Sequence, residues 1–207
     1  EVKQVDKIEI DFVEIPYTFY SVNATNNVVE IKHDESGDVK SGTIAPGNYS
    51  PTNMATELKT LLDTIDDHSD TGTYTVTYSS ISHKFTIARS VGTFEIVKDS
   101  ALTLYGSLGF SAAVGPNSTH TGDQVINLLL TKYINIRSDA LTRYLTVPNI
   151  EYGTGRDLLC TIPITGVPTD VLIYNNLKSS IRLNNRSSFT KVDLKIEDSF
   201  GNLLDLN

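Results

Sequence analysis

Short runs in which apolar and polar residues alternate are the feature that most constrains this chain. Between Lys191 and Glu197, for example, Val192, Leu194 and Ile196 alternate with charged residues. Successive side chains of a β-strand point to opposite faces, so this run predicts a half-buried strand with the three apolar residues inward. If Leu194 lies in a core, a charge placed there by Leu194→Asp should prevent folding.

Similar runs recur along the sequence and predict a mainly β protein. Gly, Pro, Asn and Ser separate them, at spacings typical of a β-sandwich. Pro16 interrupts the first run, and the Asn-rich residues 23–27 predict a hairpin loop. Residues 111–124 have the composition of an exposed loop. The predicted strands are residues 5–15, 17–22, 28–32, 73–78, 84–88, 93–97, 125–137, 157–164, 169–174, 177–183 and 191–197.

One amphipathic helix is predicted after residue 50. Ser50 is a suitable N-cap and Pro51 a suitable first helical residue. One apolar stripe follows, formed by Met54, Leu58, Leu61, Leu62 and Ile65. The helix should end near Ile65, because the aspartates at positions 63, 66, 67 and 70 would oppose the dipole of a longer helix. We expect this acidic cluster to be a solvated helix end.

The helix and the hairpin after it predict a separate module. Packing the stripe on Tyr74, Val76, Phe85 and Ile87 would remove both apolar faces from water. We therefore expect residues 40–122 to form a small α/β insertion domain, and residues 1–39 and 123–207 to form the main β domain.

Charge differs between the two halves of the chain. Residues 1–110 hold 8 Lys/Arg and 16 Asp/Glu, whereas residues 111–207 hold 9 of each. The first half should be the more solvated, and the second suits burial against partners, where Arg is enriched. The overall charge of −8 argues against direct nucleic-acid binding.

Two further counts exclude whole classes of protein. A single cysteine, Cys160, rules out a disulfide framework, and its apolar neighbours predict a buried thiol. The longest apolar run is four residues, from Val171 to Tyr174, too short for a membrane-spanning helix. Residue 1 is Glu rather than Met, so we expect the sequence to begin inside a longer chain.

The sequence contains no recognisable catalytic or metal-binding pattern. The four histidines, His33, His68, His83 and His120, lack metal-ligand spacing and are expected at the surface or in turns. The acidic cluster lacks the Gly and Glu of a calcium loop, and residues 153–156 lack the Lys of a phosphate loop. We expect no enzyme activity, no catalytic residues, no cofactor and no metal.

Two segments resemble a known family. The first comprises Ile44-Ala-Pro-Gly-Asn-Tyr49, the helix to Leu62, the hairpin and Leu108-Gly-Phe110. The second runs from Asn185-Arg-Ser-Ser through Asp198-Ser-Phe-Gly-Asn202 to Leu204-Asp-Leu-Asn207. Together they resemble the penton or minor capsid proteins of virophages and related double-stranded DNA viruses of the double-jelly-roll lineage. Members of that family usually continue into a further strand, so we expect this sequence to stop short of one.

The resemblance implies a single jelly-roll β-sandwich that assembles as a homopentamer at the fivefold vertices of a virion. The insertion would project outward, and the other partner would be the neighbouring major capsid protein. Arg and aromatic residues are enriched at interface cores. The subunit interface is therefore expected in two loops, which carry Arg143, Tyr144, Tyr152, Arg156, Arg186 and Phe189. The alternative is that these are ordinary exposed loop residues.

A second function remains open from the sequence. The jelly roll could be a carbohydrate- or receptor-binding module of a viral or phage attachment structure, with a host glycan or receptor as partner. Tyrosines would then serve as stacking platforms, and the candidates are Tyr17, Tyr20, Tyr49, Tyr105 and Tyr152. The two functions overlap, because a vertex protein can also carry an attachment surface.

Overall fold

The computed structural model is mainly β, and it describes residues 2–33, 37–66, 71–129, 131–142, 158–175, 180–189 and 191–206. The strands are β1 (Val2–Glu9), β2 (Phe12–Pro16), β3 (Val28–His33), β4 (Val39–Thr43), β5 (Tyr74–Ser79), β6 (Lys84–Arg89), β7 (Phe94–Val97), β8 (Val114–Asn117), β9 (Thr119–Thr121), β10 (Tyr133–Arg137), β11 (Leu158–Pro163), β12 (Val171–Asn175), β13 (Ser180–Phe189) and β14 (Lys195–Glu197). The helices are α1 (Pro51–Ile65) and the short α2 (Asp139–Thr142).

The chain divides into two compact units. Unit 1 comprises Glu1–Phe19 and Thr131–Asn207, and unit 2 comprises Tyr20–Leu130. The separable insertion over residues 40–122 stays a prediction. The prediction places residues 28–33 in the main β domain. In the structure these residues form β3, which pairs with β4 and β7 inside unit 2. No helix among the described residues is long and apolar enough to cross a membrane.

Unit 2 is built from two antiparallel sheets and α1. The strand orders are β4-β3-β7-β8 and β5-β6-β9. Alternate residues of β3, β6 and β7 enter one core, as their period-two pattern requires. The rings of Tyr74 and Phe94, one from each sheet, meet edge to face with centroids 5.2 Å apart. The largest fully buried side chains of this core are Tyr74, Phe85, Phe94, Tyr105, Phe110, Ile31, Met54, Leu58, Leu62, Ile87 and Ile96.

The predictions for helix α1 and the following hairpin are confirmed. Ser50 Oγ accepts the Asn53 N–H at 3.2 Å, and α1 ends at Ile65. β5 and β6 pair from Tyr74↔Arg89 to Ser79↔Lys84. Gly42 of β4 lets the helix approach closely, since a Cβ there would lie 2.7 Å from Leu61 Cδ1.

The described residues of unit 1 form three small antiparallel sheets. Their orders are β1-β13, β11-β10-β14 and β12-β2. Residues of the β2–β12 pair share a core with residues of β10 and β11, which is consistent with a β-sandwich. The jelly-roll connectivity stays a prediction. The core comprises Ile15, Tyr17, Phe19, Ile134, Ile136, Cys160, Ile162 and Leu172. Cys160 is buried as predicted, and burial raises its thiol pKa.

Several predicted strands are shorter than expected or absent. Residues 5–15 form parts of two strands, β1 and β2, and residues 17–22 form none. Among the described residues of the run 125–137, strand is present only from Tyr133 to Arg137. Ile126 and Asn127 instead donate backbone N–H groups to the carbonyls of His83 and Ser107. Residues 111–124, predicted as a loop, contain β8 and β9.

The prediction that Val192 and Leu194 point into the core is wrong. β14 is only Lys195–Glu197, and Leu194 is 65% exposed. The carboxylate of Asp193 accepts the backbone N–H of Ala140 at 2.8 Å and of Asp139 at 3.2 Å. Asp193 therefore caps α2, and the residues around it do not belong to the strand ladder. Only the Ile196 side chain of the predicted trio packs on the core.

We expect a core truncation and an exposed truncation in unit 1 to differ sharply. Ile134 is fully buried, so Ile134→Ala should lower the free energy of unfolding by about 2–5 kcal/mol. Leu194→Ala should change it by less than about 0.5 kcal/mol. Urea denaturation of both variants checks this. An equal loss of unfolding free energy in the two variants would indicate that Leu194 is a core residue.

Candidate functional site

Two histidines expected at the surface are buried in unit 2. His33 and His120 are each 3% exposed, so that expectation is wrong for both. His120 Nε2 lies 2.7 Å from the Phe94 carbonyl oxygen and links β9 to β7. His33 Nε2 lies 3.1 Å from Asp66 Oδ1 and 3.3 Å from the Tyr74 hydroxyl. Both imidazoles therefore connect one sheet of unit 2 to other elements.

Asp66 is the centre of a buried ionic cluster at the end of α1. Its side chain is 5% exposed, and Arg89 Nε donates to Asp66 Oδ2 at 2.9 Å. The Arg89 guanidinium also lies 5.9 Å from the centroid of the Tyr74 ring. Burial raises the pKa of Tyr74 strongly, and the negative charge of the nearby Asp66 carboxylate raises it further. The expectation of a solvated acidic end is wrong for Asp66, while Asp67 and Asp70 lie outside the described residues.

This cluster joins the end of α1 to β3, β5 and β6 through buried side chains. The side chains of His33, Arg89 and Asp66 are at most 5% exposed. Within the described residues, no three His, Cys, Asp or Glu side chains group closely enough to hold a metal ion. The absence of enzyme activity, cofactor and metal stays a prediction.

We expect Asp66→Ala to destabilise unit 2 severely. The substitution leaves the buried Arg89 without its carboxylate, which should lower the free energy of unfolding by about 3–5 kcal/mol. Asp99→Ala is the matched control, because Asp99 is exposed and its loss should cost less than about 0.5 kcal/mol. Thermal and urea unfolding measure both, and equal stabilities would show that the cluster contributes nothing.

The five candidate tyrosines differ greatly in accessibility. Tyr17 is 2% exposed and Tyr105 is fully buried, so neither can stack on a ligand. Tyr152 lies outside the described residues. Tyr20 is 43% exposed, and Tyr49 is half-buried at the edge of a pocket. Tyr49 therefore combines partial exposure with a place in the wall of a pocket.

The pocket beside Tyr49 has a volume of about 360 Å³. Its lining residues are Gly47, Asn48, Tyr49, Asn53, Thr56 and Glu57. The Tyr49 hydroxyl donates to the Ala45 carbonyl at 2.7 Å, which fixes the ring. Burial and then the nearby Glu57 carboxylate raise the pKa of Tyr49. The pocket therefore combines an aromatic wall with amide, hydroxyl and carboxylate groups.

The predicted subunit interface falls largely outside the described residues. Arg143, Tyr144, Tyr152 and Arg156 all lie there. Arg186 and Phe189 belong to β13, which pairs with β1 so that Phe189 is opposite Val2. The assignment of these six residues to an interface stays a prediction.

The structure shows an apolar surface on unit 1 that was not predicted. Phe12 is 54%, Val171 53% and Ile173 62% exposed, and all three lie on the outer face of the β2–β12 pair. The sequence signal was present in the continuous apolar run that ends at Tyr174, because such a run places apolar side chains on both faces of a strand.

Comparison with known proteins finds a likeness in structure but none in sequence. No family model matches the sequence, and no curated protein matches it. Among solved structures, the chain is similar to the crystal structure of selenomethionine-labelled mavirus penton protein. The TM-score is 0.48 and the sequence identity 13%, covering 98% of this chain and 82% of that chain.

Proposed function

We propose that the chain is a structural protein of a viral capsid, a penton that assembles as a homopentamer at the fivefold vertices. Its partners are further copies of itself and the neighbouring major capsid protein, and its location is the virion. The observation that carries the proposal is the exposed apolar face of β2 and β12. The sequence resemblance to virophage penton proteins supplies the class of assembly.

The geometry of this face follows from the strand register. Phe12 is opposite Asn175, Glu14 opposite Ile173, and Pro16 opposite Val171. The other face of the same pair packs Ile15 and Leu172 into the core. The outer face therefore carries the apolar residues Phe12, Pro16, Val171 and Ile173 together with Glu14 and Asn175, and these residues are exposed. Exposed apolar side chains grouped on one sheet face are typical of interaction sites.

Further exposed apolar side chains in unit 1 support an assembly role. They are Val167, Val192, Leu194, Phe200 and Leu203, which are 45–71% exposed. Unit 1 also holds 11 Lys/Arg against 13 Asp/Glu, whereas unit 2 holds 6 against 12. Near-neutral surfaces repel one another little when copies are brought together.

A closed ring needs two different complementary surfaces on each copy. We assign the outer face of β2 and β12 to one of them. The predicted interface residues Arg143, Tyr144, Tyr152, Arg156, Arg186 and Phe189 belong to the other. Arg and aromatic side chains are well suited to cover an apolar face, because they combine large contact area with hydrogen-bonding ends.

Light scattering and native mass spectrometry at rising concentration test the assembly. We expect a species of five times the 22.7 kDa chain mass at the highest concentrations. Ile173→Asp should weaken this association at least about tenfold, because it places a charge in a desolvated contact. Its melting temperature should stay unchanged, since Ile173 is 62% exposed in the single chain.

Ile81→Asp is the matched control. Ile81 is 92% exposed and lies in the β5–β6 turn of unit 2. It should assemble like the unmodified chain. Equal weakening by both substitutions would contradict the proposed surface, and a capsid map with a different protein at every fivefold vertex would overturn the function.

A further inference from the structure

We infer that the pocket beside Tyr49 in unit 2 is a binding site for a neutral saccharide. The inference goes beyond capsid assembly and rests on other residues, so either can fail without the other.

The Tyr49 ring forms a rigid wall of the pocket. Its hydroxyl is held by the Ala45 carbonyl at 2.7 Å. Gly47 lies against the ring, since a Cβ at that position would be 3.2 Å from Tyr49 Cε2. A tyrosine fixed in this way loses little conformational entropy when a ligand stacks on it. The apolar C–H face of a sugar ring suits such a wall.

Three polar side chains face the pocket from one side of helix α1. Asn53, Thr56 and Glu57 are spaced three and four residues apart, which places them side by side on a helix. The Thr56 hydroxyl donates to the Thr52 carbonyl at 3.2 Å and keeps its acceptor capacity. Within the described residues, neither the Asn53 side-chain amide nor the Glu57 carboxylate hydrogen-bonds another side chain or backbone group.

This set of groups matches vicinal hydroxyls. Each sugar hydroxyl both donates and accepts a hydrogen bond. Glu57 accepts only, Asn53 can donate through its amide nitrogen, and Thr56 can accept. A pair of neighbouring hydroxyls can therefore satisfy the Asn53 amide and the Glu57 carboxylate together, while the ring of the sugar lies on Tyr49.

The pocket is preformed by hydrogen bonds around its rim. Asn48 Oδ1 accepts the Ser21 N–H at 2.8 Å. Gly47 and Val22 exchange backbone hydrogen bonds at 2.9 and 3.0 Å. Its volume of about 360 Å³ is at the small end of ligand pockets, enough for one or two sugar rings. Ligand binding therefore needs no large rearrangement.

Charge selects a neutral ligand. Glu57 is the one charged residue among those that line the pocket. Unit 2 as a whole has 12 Asp/Glu against 6 Lys/Arg. Sialylated and sulfated glycans would be repelled by this field. The ligand class is thus a neutral hexose or N-acetylhexosamine terminus.

A glycan array probed with the full chain tests the inference first. The array carries neutral glycans ending in mannose, galactose, glucose or N-acetylglucosamine, together with sialylated and sulfated ones. We expect binding to a subset of the neutral glycans only. Saturation-transfer NMR with the best neutral glycan then gives its affinity. No neutral binder by either method, or a preference for acidic glycans, would overturn the inference.

Variants locate the site. Glu57→Gln should weaken binding of the selected glycan by about fivefold or more, because a charge-assisted hydrogen bond becomes a neutral one. Asn53→Ala should weaken it by a similar factor, because the amide hydrogen bond to the ligand is lost. Tyr49→Phe keeps the ring but loses the hydrogen bond to Ala45 that fixes it, so it should bind a few-fold more weakly than the unmodified chain. Tyr49→Ala removes the ring and should abolish binding. Glu95→Gln, on β7 away from the pocket, is the matched control for Glu57→Gln.

Two comparisons distinguish binding in this pocket from binding elsewhere on the chain. Ile173→Asp, the assembly variant, should bind the glycan as well as the unmodified chain does. Loss of binding in Glu95→Gln, or full binding in both Glu57→Gln and Asn53→Ala, would show that the pocket is not the site.

Discussion

The ion pair between Asp66 and Arg89 is the interaction on which the arrangement of unit 2 depends. Both side chains are almost fully buried, and removing two charges from water can cost more than a simple ion pair returns. The site offsets this cost because Asp66 also lies against the His33 imidazole, and Arg89 lies near the Tyr74 ring. Each charge therefore has several partners. The cluster ties the end of α1 to β3, β5 and β6, since its members come from each of these elements.

Because α1 is rigid, fixing its C-terminal end also fixes the position of its first turns beside the pocket. A 15-residue helix behaves as a rod, and Ser50 caps its first turn. Gly42 allows Leu61 and Ile65 to approach β4 closely, so the helix cannot easily rotate about its axis. The face that carries Asn53 and Glu57 is therefore held beside Tyr49. In this way a buried contact at one end of the helix sets the geometry of the pocket at the other.

Sequence reasoning found the elements whose signals are local and missed the long-range pairs. The bounds of α1 were predictable from Ser50, Pro51 and the apolar stripe, because capping and periodicity act within a few residues. The cluster of His33, Asp66 and Arg89 was not, since its members are separated by more than 20 residues and only folding brings them together. The prediction for Leu194 was wrong for a similar reason. Alternation favoured a strand, but the neighbouring Asp193 caps α2, which is far away in the sequence. Among the tyrosines, composition could not distinguish the buried Tyr105 from the pocket-lining Tyr49.

The surfaces that we assign to function differ in chemistry between the two units. Unit 1 exposes Phe12, Val171 and Ile173 on one sheet face. Exposed apolar side chains are unfavourable in water, so covering them with another surface is favourable. Unit 2 carries most of the net negative charge and a polar pocket, both of which are stable in contact with water. A surface that gains by being covered suits assembly, whereas a hydrated pocket suits a ligand that arrives from solution. The proposed assembly and the proposed saccharide site therefore do not compete for the same surface, and each can be altered without loss of the other.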